Sequence, residues 1–435
     1  MFRETIYALS SGALPSGVAV IRISGPAVQN ILRQMAVAVP AARSAALREL
    51  RTKSGILLDH ALVLYFQAPA SFTGEDVAEL QVHGGKATVA AILQELSTFD
   101  DTRLAEAGEF SRRAFLNGKM DLTAAEALSD LISAETELQR RLAIANADGK
   151  QRDLYQGWRR SLLNARALIE AELDFADEAD VPGSVSDQVW SSVQALHQDI
   201  LNHIDGYRAG EIVREGFRVV LAGRPNAGKS SLLNVLAKRD VAIVTDIPGT
   251  TRDLVEVTLD LSGLKIILTD TAGLRDTDDV VERIGVDRAL EATRTADLIL
   301  HLDDGTGEPV KIDADCPDLK IATKADIRHL AGSTHDLAIA ARTGAGVDEL
   351  EEAIRKIAAE AAQPAEGVVP TRARQVSLLR RAASHLQVAA QSDALDLELR
   401  AEELRLAEYA LGKIVGAVDS EELLGVIFSE FCIGK

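Results

Sequence analysis

Gly223-Arg224-Pro225-Asn226-Ala227-Gly228-Lys229-Ser230 is the stretch whose reading decides the fold. It matches the glycine-rich phosphate-binding loop and follows Phe217, Val219, Val220 and Leu221, an apolar run that reads as a buried strand. Behind it, Ser231-Leu232-Leu233-Asn234-Val235-Leu236-Ala237 has helical spacing. Strand, loop and helix in that order aim backbone N–H groups and a helix N-terminus at phosphate oxygens. A chance glycine-rich turn would lack this bracketing. Asn226, Ala227, Gly228 and Ser231 therefore line a triphosphate, Lys229 reaches its β- and γ-phosphates, and Ser230 ligates Mg²⁺.

The parts that follow are in GTPase order. Leu264 to Thr269 reads as a second apolar strand delivering Asp270-Thr271-Ala272-Gly273, whose carboxylate can hold Mg²⁺ through water and whose Gly273 N–H can meet the γ-phosphate. Thr323-Lys324-Ala325-Asp326 follows another strand-like stretch, and the Asp326 carboxylate can accept from guanine N1–H and its exocyclic amine, a donor pair adenine lacks. Thr323 stands where Asn is usual, so an amide that would bond guanine N7 or brace the loop is missing. Ala340-Ala341-Arg342 supplies the last guanine-contacting loop, with Ala340 where Ser is commoner. These parts predict GTP and GDP as ligands.

Hydrolysis needs a positioned water, and the residue after Gly273 is Leu274, not the Gln that orients water in Ras-like enzymes. Two features offer a substitute: Asn226 and the segment Thr245-Asp246-Ile247-Pro248-Gly249-Thr250-Thr251. Asn226, with Thr245, Ile247 and Thr250, predicts a K⁺ site that places positive charge where an arginine finger would otherwise act. Thr251 is expected to close over Mg²⁺ with GTP bound and release after hydrolysis. Glu282 is the candidate for orienting the water, although a solvated helix charge is its plainer reading in so acidic a chain.

The chain has 435 residues, 47% of them hydrophobic, enough for two or three domains with real cores. No stretch approaches the roughly 18 to 20 apolar residues of a membrane span, so no membrane partner is expected. Two distant cysteines, Cys316 and Cys432, give neither a disulfide framework nor metal spacing, and a reducing cytoplasm fits best. A formal charge of −19 is opposite to the footprint of a protein that grips nucleic acid by bulk electrostatics. Any RNA contact must be local. The pairs Arg112-Arg113, Arg140-Arg141 and Arg159-Arg160 read as solvated helix faces.

Texture divides the chain. Residues 1–118 read as mixed α/β, with strands at Val18 to Ile23, Ala61 to Phe66 and Val77 to Val82. From Asp121 apolar residues recur at three and four, a pattern that continues to about Tyr207 and resumes from Arg372. The predicted fold class is thus α/β and all-α multidomain: an N-terminal α/β domain (1–118), a discontinuous helical domain (119–210 plus 371–435), and a Ras-like P-loop domain inserted at 215–365. Switch movements of such an insert press on a helical bundle from both attachment points.

The whole chain resembles the tRNA wobble-uridine modification GTPases of the MnmE (TrmE) family. The resemblance is carried by Gly108 to Leu122 (GEFSRRAFLNGKMDL), Ser71-Phe72-Thr73-Gly74-Glu75-Asp76, His83-Gly84-Gly85, Ile21-Arg22-Ile23-Ser24-Gly25 and Cys432-Ile433-Gly434-Lys435. It implies a homodimer held by the N-terminal domains, which also bind a reduced folate (methylene- or formyl-tetrahydrofolate) near the interface. It implies an MnmG-type partner flavoprotein carrying FAD, with which the chain forms a hetero-oligomer. Such a complex installs an aminomethyl or carboxymethylaminomethyl group at C5 of the wobble uridine of certain tRNAs. By motif, Arg22, Glu79, Lys119 and Lys435 would contact the folate, Glu79 pairing with pterin N–H groups. Family-like sequence from the first residues leaves no room for a mitochondrial presequence, which agrees with a cytoplasmic enzyme. The alternative is a ribosome-associated or assembly GTPase switch without modification activity, which the phosphate loop and Leu274 alone permit.

Overall fold

The structure, a computed structural model, describes residues 2–174, 185–239, 241–243, 256–270, 292–306, 316–327, 334–363, 367–391, 396–417 and positions 424, 425, 427, 428, 431 and 434. Two compact units emerge: residues 1–129, 152–159 and 411–435 form one, and residues 130–151 and 160–410 the other.

In the first unit β1 (Thr5–Leu9), β2 (Ser16–Ser24), β3 (Ala46–Arg51), β4 (Leu57–Phe66), β5 (Val77–Gly84) and β6 (Thr102–Leu104) form a sheet ordered β3-β4-β5-β2-β1-β6. Every pairing is antiparallel except β1 with β6. Period-two alternation sets the faces: Ile21 and Ile23 of β2, with Leu80 and Val82 of β5, point to a core closed by α1 (Val28–Met35) and α2 (Lys86–Leu96). On the other face Ile6 and Ala8 pack with Phe110 of α3 (Glu109–Leu116). Leu122 and Ala125, in the first turn of α4 (Leu122–Ser133), are covered by Leu424, Ile427, Phe428 and Phe431.

The second unit is built on β7 (Phe217–Gly223), β8 (Glu256–Leu261), β9 (Leu264–Asp270), β10 (Leu298–Asp303), β11 (Asp318–Ala322) and β12 (Leu337–Ala338), ordered β12-β11-β10-β7-β9-β8. All run parallel except the β8–β9 hairpin. Central strands of a parallel sheet are covered on both faces, and β7 accordingly reads as a nearly unbroken apolar run. The covering helices include α9 (Lys229–Leu236) and α10 (Val347–Ala362). Helices α5 (Glu137–Ala147), α6 (Lys150–Asp174), α7 (Val185–Asp205) and α8 (Tyr207–Glu215) precede the sheet, and α11 (Ala373–Gln391) and α12 (Leu397–Val415) follow it. Chain leaving the sheet is fastened to helices met before it: Gln151 Nε2 donates to Val369 O at 2.9 Å, and Arg214 Nε to Thr371 O at 2.9 Å.

One expectation is overturned. Arg113 does not lie on a solvated face: it is 1% exposed and donates to Glu75 Oε2 at 3.0 Å and Glu109 Oε1 at 3.0 Å. Ser24 Oγ completes Glu75 at 2.8 Å, and Arg103 grips both oxygens of Glu109. Spacing on one helix cannot reveal this, because the acid that draws Arg113 inward is on a loop distant in sequence. Arg140 and Arg141, by contrast, pair with Glu137 on an exposed face, as their spacing suggests. Burial pushes the Glu109 carboxyl up, but Arg103, the Glu106 N–H and Arg113 outweigh it and hold the carboxyl below the usual range. A depressed folded pKa contributes stability that is present above the unfolded value and lost as pH falls through the folded one. Arg113→Met should therefore destabilise the N-terminal sheet by about 3 to 5 kcal/mol at neutral pH, read as lost hydrogen-exchange protection in β2 and α3. The deficit should shrink as pH drops below about 4, where the Glu109 carboxyl protonates. A pH-independent deficit would contradict this account.

Candidate functional site

The carboxyl ends of β7, β9 and β10 lie side by side because the three strands are parallel and in adjacent register. Ligands of open α/β sheets bind at such ends. β7 delivers the phosphate loop, and Gly228 (φ 102°) supplies the left-handed turn that starts α9. Asn226 also has positive φ, at 65°. Lys229 and Ser230 fall in the first turn of α9, where backbone N–H groups have no intrahelical partner.

Lys229 is buried, and its Nζ donates to the loop's own carbonyls, Gly223 O at 2.7 Å and Arg224 O at 3.1 Å. The ammonium is thereby held over the space its loop encircles. Ser230 Oγ donates to Asp270 Oδ2 at 3.0 Å, joining the loop to the end of β9. Asp270 is 2% exposed, and its Oδ1 has no hydrogen-bond partner among the described residues. A buried carboxylate oxygen without a donor is costly, and a hydrated cation is the partner this geometry suits. Ser230 and Asp270 thus fit Mg²⁺.

On the other side of β7, Thr323 replaces the missing amide. Its hydroxyl lies 2.7 Å from Ala227 O and 3.2 Å from Asp303 O, so the residue braces the phosphate loop against β10. Sequence reading counted the loss of the amide but not the hydroxyl's reach. Lys324 (φ 56°) sends its Nζ to Asp304 Oδ2 at 2.6 Å, and Lys324, with Thr306, holds the Asp304 carboxyl down at about 2. Ala325 N donates to Ile339 O at 3.1 Å, tying this loop to the one that carries Ala340, Ala341 and Arg342. Arg342 then reaches Asp326 Oδ2 with Nε and Nη2, both at 2.9 Å. The carboxylate assigned to guanine is therefore held in place by a residue of the neighbouring predicted loop. Ser231, next to Ser230 in the same first turn, is exposed.

The remaining nucleotide-site candidates, Thr245, Asp246, Ile247, Pro248, Gly249, Thr250, Thr251, Thr271, Ala272, Gly273 and Glu282, lie outside the described residues.

In the first unit Arg22 and Glu79 are cross-strand partners on β2 and β5, with Nε–Oε1 at 3.1 Å and Nη2–Oε1 at 2.9 Å. The guanidinium sits over Phe72 at 5.3 Å and Phe110 at 5.6 Å. Lys119 is exposed, and its stem passes close to Gly74, two residues from Phe72. Phe72 and Phe110 belong to segments distant in sequence from Arg22, so its aromatic flank has no local signature in sequence. Lys435 and Cys432 lie outside the described residues. Gly434 is described: Ser10 Oγ donates to its carbonyl at 2.7 Å, and its φ of 99° and close approach to Leu9 O leave no room for a Cβ. Among the described residues no helix is long and apolar enough to cross a membrane.

Comparison with known proteins agrees with this geometry. A family model described as the MnmE helical domain matches residues 122–432, and one described as the GTP-binding protein TrmE N-terminus matches residues 5–119. The tRNA modification GTPase MnmE of Mesorhizobium japonicum is 55% identical over 440 residues, covering 99% of each chain. That of Chelativorans sp. is 53% identical over 435 residues, covering 100% of this chain and 98% of its own. The G domain of the T. maritima FeoB iron transporter aligns at 26% identity with a TM-score of 0.24, over 33% of this chain and 98% of its own, too slight a likeness of shape to add to these. A GTPase site built on a parallel sheet, family models that together match residues 5–119 and 122–432, and full-length identity above one half lead to one assignment: the chain belongs to the MnmE family of tRNA modification GTPases.

Proposed function

We propose that this GTPase is the GTP-hydrolysing subunit of a complex that adds an aminomethyl or carboxymethylaminomethyl group to C5 of the wobble uridine of tRNA. In this reading a reduced folate supplies the carbon and an MnmG-type flavoprotein brings FAD. The observation that carries it is the union in one chain of a phosphate site centred on Lys229, Ser230 and Asp270 with an Arg22–Glu79 pair, flanked by Phe72, on a separate sheet. A plain nucleotide switch has no use for the second feature.

For hydrolysis, the Lys229 ammonium exchanges its two loop carbonyls for β- and γ-phosphate oxygens. Asp326 accepts from guanine while Arg342 fixes its orientation. Ser230 and Thr251, with Asp270 behind, would hold Mg²⁺, which would supply charge neutralisation at the phosphates. Glu282 orients the attacking water, and Asn226 with Thr245, Ile247 and Thr250 hosts K⁺. In the first unit Glu79 accepts pterin N–H groups, and Arg22, Lys119 and Lys435 face carbonyl and carboxylate oxygens of the folate. The outer face of the N-terminal sheet supports a homodimer: Leu47 and Leu62 are cross-strand neighbours, and both are exposed. Residues 1–118, 119–210 plus 371–435, and 215–365 serve respectively as folate-binding, helical and G domains.

Three outcomes are expected. GTP turnover should be faster in K⁺ than in Na⁺ by on the order of tenfold or more, part of the ~10³ to 10⁵ an arginine finger supplies; equal rates would remove the cation from the account. Glu79→Gln should weaken tetrahydrofolate binding by about tenfold, the cost of one charged hydrogen bond, with GTP hydrolysis unchanged; unaltered folate affinity would return the Arg22–Glu79 pair to a structural role. Mass spectrometry of tRNA nucleosides from cells lacking the gene should show loss of C5-modified wobble uridines, restored by a plasmid copy. Unchanged nucleosides would favour a ribosome-associated switch.

A further inference from the structure

Helix α11 contains no Asp or Glu in its 19 residues, although the chain has 66 acidic residues against 47 basic ones. Its inner side, Val376, Leu379, Ala382, Ala383 and Leu386, is buried, and the helix packs against α7. Ser377, Arg380, Arg381 and Ser384 are exposed and lie three or four apart, so they form one stripe on the outer side. Several other arginines on helices of this chain find a glutamate at that spacing: Arg140 and Arg141 on Glu137, Arg355 on Glu352, and Arg405 on Glu402. Arg380 has Val376, Ser377, Ala383 and Ser384 at those offsets, and Arg381 has Ser377, Leu378, Ser384 and His385. Neither arginine makes an ion pair or hydrogen bond among the described residues.

The stripe and Tyr207 at the start of α8 line an open depression of about 420 Å³. A carboxylate does stand nearby, Glu211, but it is already taken by Tyr207 Oη at 2.7 Å and by Arg208. What faces solvent here is two guanidinium groups flanked by hydroxyls. Planar guanidinium forks match phosphate oxygens, and serine hydroxyls add donors of the same kind. A protein-binding patch would be expected to centre on an exposed apolar or aromatic anchor, whereas the aromatic here, Tyr207, is half-buried with its hydroxyl tied to Glu211, and the groups that stand out to solvent are the two arginines. In a chain of net charge −19, a helix face free of carboxylates is where a polyanion can approach without repulsion.

We propose that the Ser377–Arg380–Arg381–Ser384 face of α11 is an RNA-backbone surface that binds phosphodiester oxygens of the tRNA. This rests on the reading that the chain serves tRNA modification. The test is titration of the full-length chain with labelled tRNA over a range of salt concentrations, for the wild type, Arg380→Gln/Arg381→Gln and Arg380→Lys/Arg381→Lys. Losing two phosphate contacts should weaken binding about tenfold near 0.1 M salt and make the log–log salt dependence shallower by about 1.5. The lysine variant should retain most of the slope, and basal GTP hydrolysis should be the same in all three. Unchanged affinity and slope in the glutamine variant would overturn the inference, as would loss of flavoprotein capture with tRNA binding intact, which would make the face a protein contact. Absence of salt-dependent tRNA binding by the wild type would overturn it too. The nucleoside measurement reports on the modification role separately, so the two can fail independently.

Discussion

Parallel pairing of β7 with β9 on one side and β10 on the other is the constraint on which the nucleotide site depends. Because the three strands point the same way, the chain leaves each of them at one edge of the sheet, and residues far apart in sequence arrive within hydrogen-bond reach. Ser230 meets Asp270 across forty positions, and Thr323 meets Ala227 across ninety-six. The first joins the opening turn of α9 to the last residue of β9, and the second joins two loops that leave the sheet. Both follow from where the ladder ends: a slip in register of β7 against β9 would dissolve the first, and a slip against β10 the second.

The first unit solves a different problem, that of burying charge. Glu75, Glu109 and Arg113 are all nearly inaccessible, yet every one is partnered, and Ser24, Arg103 and the Glu106 N–H complete the set. Such a network gives little net stability compared with apolar packing, but it is unforgiving of partial loss. Glu75, Glu109, Arg113 and Ser24 lie in segments that carry the family resemblance, residues 71–76, 108–122 and 21–25, whereas Arg103 and Glu106 lie just before the second of them. In sequence those segments carry the resemblance, and residue by residue they signal no more than a folded domain. In the fold much of their chemistry is spent holding one another in position, and the Arg22–Glu79 pair stands on that frame.

Legibility followed the range of the interaction. The phosphate loop, the strands at Val18 to Ile23 and Leu264 to Thr269, and the helix after Lys229 rest on local pattern, and the structure has them at β2, β9 and α9. Arg113 was misread because helical spacing describes its neighbours on α3 and says nothing of Glu75, thirty-eight residues away. The compensation by Thr323 was hidden for the same reason: a side chain's partner on another loop is invisible until the sheet brings the loops together. The acid-free composition of α11 was visible in the letters, but which of its residues face outward became clear only once α7 was seen against it.

The apolar residues that cover Leu122 and Ala125 stand at positions 424–431, on the far side of the nucleotide-binding sheet in sequence. On the ribosome, the core between the N-terminal sheet and its two helices can close early, but this corner of the unit cannot be covered until the whole G domain has been synthesised. Phe115, Leu122 and Ala125 remain exposed on the nascent chain throughout that interval, a natural stretch for chaperone capture. A message truncated anywhere in the G domain would yield a first unit permanently uncovered at this corner. Such a fragment advertises its incompleteness to proteolysis.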